Sequence, residues 1–222
     1  MDAPPHNATE RIVMRNWSRG EEIANSVSHG CGFLATLIGT PFLLIAASHH
    51  GGVRPFLGMS LFAATAMLLY FSSAVHHWLM PGKAKDFFEI LDHAAIFLMI
   101  AGTYAPFSLG ILWGPWGWLL MSVIWPLAIF GVLLKMVRGL QPPRFTIALY
   151  VIMGWMMVIA FPPLSAHMPR SGLLLLLGGG IAYTGGLLFY LARRVPYHHL
   201  AWHLSVLTGT ALHYFAVLRY AF

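Results

Sequence analysis

The stretch Tyr197–Phe222, YHHLAWHLSVLTGTALHYFAVLRYAF, is apolar over most of its length, and about 20 residues of helix suffice to cross a bilayer. Its beginning carries His199 and His203, four residues apart. On a helix that spacing stacks both imidazoles on one face, close enough to grip a single ion. Ionisable groups inside a membrane are costly and by default mark function. Two ligands do not make a site, so other segments must deliver more at the same depth.

The chain around this stretch has the composition of a membrane protein. Of its 222 residues 58% are hydrophobic and 9% charged, where a soluble domain carries roughly 25% charged residues. Mean hydropathy is +0.71. The net charge of +6 does not point to nucleic acid, because the basic residues sit singly or in pairs between apolar runs, as membrane anchors do. A single cysteine, Cys31, excludes an intramolecular disulfide. The amino-terminal residues show no short apolar run followed by a small-residue cleavage site, so no cleaved signal peptide is expected.

The expected fold class is an all-α membrane protein, a seven-transmembrane-helix bundle with its amino terminus cytoplasmic. A polar lead (1–25) ends in an interfacial helix, and the transmembrane domain (26–222) follows. Its seven apolar segments fall near Ser26–Ser48, Val53–Leu79, Phe87–Leu109, Trp116–Met136, Phe145–Leu164, Leu173–Ala192 and His199–Arg219. The connections are short and hold turn formers: Gly51-Gly52, Pro81-Gly82, Gly114-Pro115, Gln141-Pro142-Pro143 and Pro169. Orientation follows from the basic residues. Arg11, Arg15, Arg19, Lys83, Lys85, Lys135, Arg138, Arg144, Arg193 and Arg194 fall in the lead and in every second loop, against Arg54, Arg170 and Arg219 on the other side, ten against three. The richer side is the cytoplasmic one by the positive-inside rule.

With orientation set, depth can be read off. His29 lies about one turn into the first segment, Ser73 and His77 end the second, Asp92 opens the third, and His199 and His203 open the seventh. Six polar groups from four segments thus converge in the inner leaflet. Imidazole suits a borderline ion such as Zn²⁺, and three imidazoles leave the fourth position open, as catalytic zinc sites do. Asp92 is the acid placed well inside a span; it can hold a water and accept its proton. Ser73 can donate a hydrogen bond to an oxyanion or orient a ligand. Taken singly, each has a plainer reading: histidines bonded to backbone or set at headgroup level, a helix-packing serine, an aspartate paired with Lys83, Lys85 or a histidine. His93, next to Asp92, points about 100° away on a helix and reads as interfacial. His213 lies roughly 15 Å beyond His203, too far for the same ion, and reads as a buried hydrogen-bonding histidine. Spacing alone leaves Ser72 with His76 as an alternative to Ser73 with His77.

Four motifs carry a family resemblance: EEIANSVSHGCGF (Glu21–Phe33), LYFSSAVHHWL (Leu69–Leu79), LDHAAIFLMIAGTYAPF (Leu91–Phe107) and HLAWHLSVLTGTALHYFAV (His199–Val217). In this order, on seven segments, they make the chain resemble the hemolysin III proteins, the bacterial branch of the progestin and adipoQ receptor (PAQR) family. The resemblance covers nearly the whole chain. It implies Zn²⁺ held by His77, His199 and His203, with Asp92 and Ser73 at its water, and a cytoplasmic amino terminus in a bacterial inner membrane. It also selects the Ser73–His77 register, although His76 stands where the family usually has tyrosine. Glu22, Asn25 and His29 match the family's amino-terminal motif, to which no role is assigned beyond nearness to the site.

The function these readings lead to is zinc-dependent hydrolysis of an amide or ester bond in a membrane lipid, the lipid being the expected partner. Related receptors and alkaline ceramidases share the motif set, and the resemblance extends their link to ceramide hydrolysis. Two alternatives stand beside it: a membrane-perturbing, hemolytic protein, and a regulator of membrane state whose zinc is structural. A continuous pore requires polar faces along several helices, and the fourth to sixth segments nearly lack them. HLAWH lacks the glutamate of HExxH, so that protease motif is excluded.

Overall fold

The computed structural model describes residues 17–50, 52–139 and 143–222. Pro4, Pro5, His6, Arg11 and Arg15 of the lead, and Gly51, Gln141 and Pro142 of two turns, lie outside the described residues. The described chain is all-helical: α1 (Arg19–His50), α2 (Val53–Trp78), α3 (Lys83–Leu109), α4 (Pro115–Arg138), α5 (Pro143–Trp155), a 3-10 stretch (Met156–Ala160), α6 (Phe161–His167), α7 (Arg170–Leu191) and α8 (His198–Tyr220). Because α5 and α6 are two parts of one run, these make seven helices, six of them long and apolar enough to cross a membrane. α8, with 23 residues, is long enough as well at 1.5 Å per residue; its four histidines lower its hydropathy. The chain is an integral membrane protein.

Two helices differ from the sequence reading, each for a local reason. α1 begins at Arg19 and not at Ser26, and it runs without a break through the border drawn between lead and membrane domain. Ser18 and Glu21 form a reciprocal capping box, with Ser18 N–H on Glu21 Oε2 (2.9 Å) and Glu21 N–H on Ser18 Oγ (3.2 Å), which fixes the helix start there. The fifth segment, read as one helix, is broken. Pro162 and Pro163 offer no N–H to the carbonyls four residues earlier, and the backbone ahead of them tightens into the 3-10 turn. Tyr104 of α3 repairs the break: its hydroxyl donates to the Met153 carbonyl (2.6 Å), with the Gly154 carbonyl at 3.1 Å, and accepts the Met157 N–H (3.0 Å).

The bundle packs unevenly. α2 lies tightly between α1 and α3, α3 also meets α4, α8 packs on α7, and α8 closes against α1. The α2–α3 contact is backbone-close, since a Cβ on Gly58 would sit 2.8 Å from the Ala105 carbonyl oxygen. Met59, Phe62 and Ala66 of α2 and Phe97, Ala101 and Phe107 of α3 are fully or almost fully enclosed, Phe97 against Gly131 of α4 and Tyr150 of α5. The outer face of α1, with Leu34, Ile38, Phe42 and Ile45, is exposed, as a lipid-facing surface is in a membrane protein. α1 therefore stands between α2 and α8, and side chains of the latter two meet alongside it.

Candidate metal centre

The centre is built where α1 and α8 begin and α2 ends. Tyr197, which precedes α8, has a left-handed backbone (φ 57°), and its N–H is held by Glu21 Oε1 at 2.9 Å. The residue that caps α1 thus also pins the start of α8. α2 is tied to α1 by Ser26, whose hydroxyl donates to the Ala74 carbonyl (2.8 Å). Within this frame His77, His199 and His203 are all buried, and one ligand atom from each lies within 4.8 Å of the others. Trp17 covers them, its ring centroid 5.1 Å from that of His77 and 4.5 Å from that of His199.

Hydrogen bonds set the tautomers of two of the three. His77 Nδ1 lies 2.7 Å from Glu22 Oε2; a carboxylate oxygen accepts, so Nδ1 carries the proton. His77 Nε2 is then the lone-pair nitrogen, and it is buried without a partner. His203 Nδ1 lies 3.2 Å from the Asn25 carbonyl and 3.0 Å from Ser28 Oγ. Ser28 spends its own proton on the same carbonyl (2.7 Å), so His203 Nδ1 donates as well and leaves Nε2 as its lone pair. An imidazole whose second nitrogen donates to a carboxylate or carbonyl is the arrangement that metal-binding histidines show. The residues present therefore fit a metal ion.

Asp92 is 8% exposed and lies on the His77 side: its carboxylate and one nitrogen each of His76 and His77 are within 4.8 Å of one another. Ser73, fully buried beside it, keeps its hydroxyl off the backbone and turned toward the Asp92 carboxylate. His76, buried as well, turns its Nδ1 to the Lys85 carbonyl at 3.4 Å and joins no group with His199 or His203, and Ser72 spends its hydroxyl on the Leu69 carbonyl at 3.0 Å. The histidine of α2 that meets His199 and His203 is thus His77. His29 lies flat on His203, with centroids 3.5 Å apart and planes 6° apart, and both its nitrogens lack partners. His93 is not simply interfacial: its Nδ1 bonds the Glu89 carbonyl (2.9 Å) while its ring lines the cavity beside Asp92. His213 is bonded through Nε2 to the Leu176 carbonyl (3.2 Å), remote from the triad.

The sequence reading missed what Glu22 and Lys85 do here. Lys85 Nζ donates to Glu22 Oε1 at 2.9 Å, so its partner is Glu22 and not Asp92. One signal was available, since Glu22, Asn25 and His29 lie three and four residues apart on one helical face. Which histidine that face would meet could not be read from it.

From this centre an apolar cavity runs between α3, α5, α7 and α8. Ser73, Asp92, His199 and His203 line one end, and Thr103, Trp155, Tyr183 and His213 lie further along. A second cavity shares Thr103, Trp155 and His213 with the first and continues to Arg170. Thr210 receives the Tyr70 hydroxyl at 2.6 Å and lies 2.8 Å from the Tyr183 hydroxyl, which braces α2 and α7 onto α8 beside the cavity.

Comparison with known proteins yields related chains. The family described as "Haemolysin-III related" matches residues 17–214. The hemolysin-3 homolog of Bacillus subtilis (strain 168) is 40% identical over 200 residues, 90% of this chain and 94% of that protein. Hemolysin-3 of Bacillus cereus is 39% identical over 212 residues, 96% of this chain and 97% of that protein. The human monocyte to macrophage differentiation factor is 27% identical over 136 residues, 61% of this chain and 56% of that protein.

Proposed function

The chain belongs to the haemolysin-III related family, and from that premise we propose that it is a zinc-dependent hydrolase of amide or ester bonds in membrane lipids, acting in the inner leaflet of a bacterial cytoplasmic membrane. The observation that carries this reading is the seating of three convergent imidazoles, a carboxylate and a hydroxyl at one end of an apolar cavity. His77, His199 and His203 are the residues that would hold Zn²⁺, which supplies a Lewis acid able to activate water and polarise a carbonyl. No fourth protein ligand joins their group among the described residues, which favours an open position over a closed structural site. Asp92 accepts a proton from water at the site, and Ser73 donates a hydrogen bond to the oxygen of the bond being cleaved. The cavity walls take the hydrocarbon part of the lipid and keep bulk water out. The excess of basic residues on the side of the amino terminus, ten against three, supports placing this end at the cytoplasmic face.

Membrane perturbation, which the name of the Bacillus cereus relative evokes, is the second reading. It draws less support, because the groups able to hold a metal gather at one end of the bundle and the cavities beyond them are walled mainly by apolar side chains. The test is release of fatty acid from a lipid panel by the purified, zinc-loaded protein. Wild-type release that is lost in Asp92→Ala supports the hydrolase. Release that survives the substitution, or no release from any lipid, overturns it.

A further inference from the structure

We propose that Glu22 and Lys85 form a positioning pair that makes His77 a metal ligand, a reading that rests on the metal centre proposed above. The chain of contacts is short and every atom in it is assigned. Lys85 Nζ donates to Glu22 Oε1 (2.9 Å) and to the His76 carbonyl (2.9 Å), with the Leu79 carbonyl at 3.4 Å. It thereby also covers carbonyls that the end of α2 leaves without helical partners. Its charge holds Glu22 as a carboxylate of fixed orientation, and the other carboxylate oxygen takes the Nδ1 proton of His77 at 2.7 Å. His77 is left with one conformation, one tautomer and a lone pair on Nε2, the atom that is buried and unspent.

The pair is well placed for this work. The His77 side chain is fully enclosed, while Glu22 and Lys85 keep 23% and 17% exposure. Two charges can therefore sit there without the full cost of burial. The pair also joins three helices: Glu22 from α1, His77 from α2 and Lys85 from α3. A brace of that kind could be purely structural, so the test needs a readout that bracing alone would not move.

That readout is the metal itself. The full-length protein in detergent micelles is stripped with a chelator and reloaded with Zn²⁺ against a chromophoric competitor, and separately with Co²⁺ to record its visible ligand-field bands. Glu22→Gln, which keeps the shape and removes the charge, is expected to weaken Zn²⁺ about 10–100-fold and to shift the Co²⁺ bands. Lys85→Met is expected to weaken it by less. Since Lys85 acts through Glu22, the double variant should bind no more weakly than Glu22→Gln alone, whereas independent sites would multiply their losses. Wild-type affinity and unchanged bands in Glu22→Gln, or multiplied losses in the double variant, would overturn the pair while leaving the metal reading intact. Failure of the wild type to take up Zn²⁺ would remove the metal reading and this inference with it. If Glu22→Gln does not fold, Lys85→Met decides alone: weaker binding supports the pair and unchanged binding ends it.

Discussion

α8 faces two unlike halves of the bundle. Toward α1 and α2 it presents His199 and His203 to a region where the Asn25 carbonyl orients His203 and Glu22, held by Lys85, orients His77. Toward α7 it presents His213, whose ring edge fills the space beside Gly179 and meets the ring of Tyr183 edge to face. Both regions bury histidine; only the first makes lone pairs converge. Burial of a ligating residue type is thus a poor mark of a metal site. So is an outer partner alone, since the Leu176 carbonyl fixes His213 and leaves its Nδ1 free; convergence of the free nitrogens is the good mark.

The sharpest way to break this contrast is to remove one histidine from each half. His203→Ala takes away a converging nitrogen and should abolish stoichiometric zinc in the purified protein, as His77→Ala should. His213→Ala should leave zinc content at the wild-type value. Elemental analysis of the three variants decides: zinc retained without His203, or lost without His213, would mean that the two regions have been assigned the wrong way round.

Both halves hold close approaches, at Gly58 on α3 and at Gly179 and Gly186 on α8, so the next largest effect comes from contrasting such a position with an open one. A Cβ on Gly58 of α2 would meet the backbone of α3 at 2.8 Å, whereas one on Gly185 of α7 would meet nothing within 4 Å. Gly58→Ala should destabilise the protein by about 1–3 kcal/mol, the usual cost of overpacking. Gly185→Ala should be neutral or stabilise by up to about 1 kcal/mol, since alanine is the better helix former. Thermal unfolding of the two variants in the same detergent is the measurement, and equal behaviour would erase the distinction between a packed and an open helix face.

Much of this was legible in the sequence, and the part that was not has a physical explanation. The helix count and the gathering of His77, Asp92, His199 and His203 at one end of the bundle follow from apolar length and from the four-residue spacing, both properties of one helix at a time. The role of Glu22 was not legible, because it depends on how α1 is rotated against α2, and its partner His77 stands 55 residues away in sequence. The start of α1 lies earlier than apolarity suggests because a capping box and not hydropathy sets it. The break in α5 was open to view as Pro162-Pro163, but its repair by Tyr104 was not, since that hydroxyl comes from another helix.

The smallest expected effect lies where the two halves join. Thr210 of α8 receives the Tyr70 hydroxyl from α2 and faces the Tyr183 hydroxyl from α7, and it donates its own proton to the Val206 carbonyl at 3.0 Å. A hydroxyl whose proton is already spent can only accept from the two tyrosines, so both phenols are donors and neither depends on the other. Tyr70→Phe removes one of two bonds to the same oxygen and leaves Thr210 satisfied by Tyr183. The loss should be about 0.5–1.5 kcal/mol, the net worth of one hydrogen bond without a stranded partner. Tyr183→Phe should cost about the same, and zinc content should hold in both. Removing both phenols should exceed the sum of the single losses, because only then is the Thr210 oxygen left without a donor inside the bundle. Strict additivity of the three unfolding measurements would show that Thr210 links the halves through packing and not through its hydroxyl.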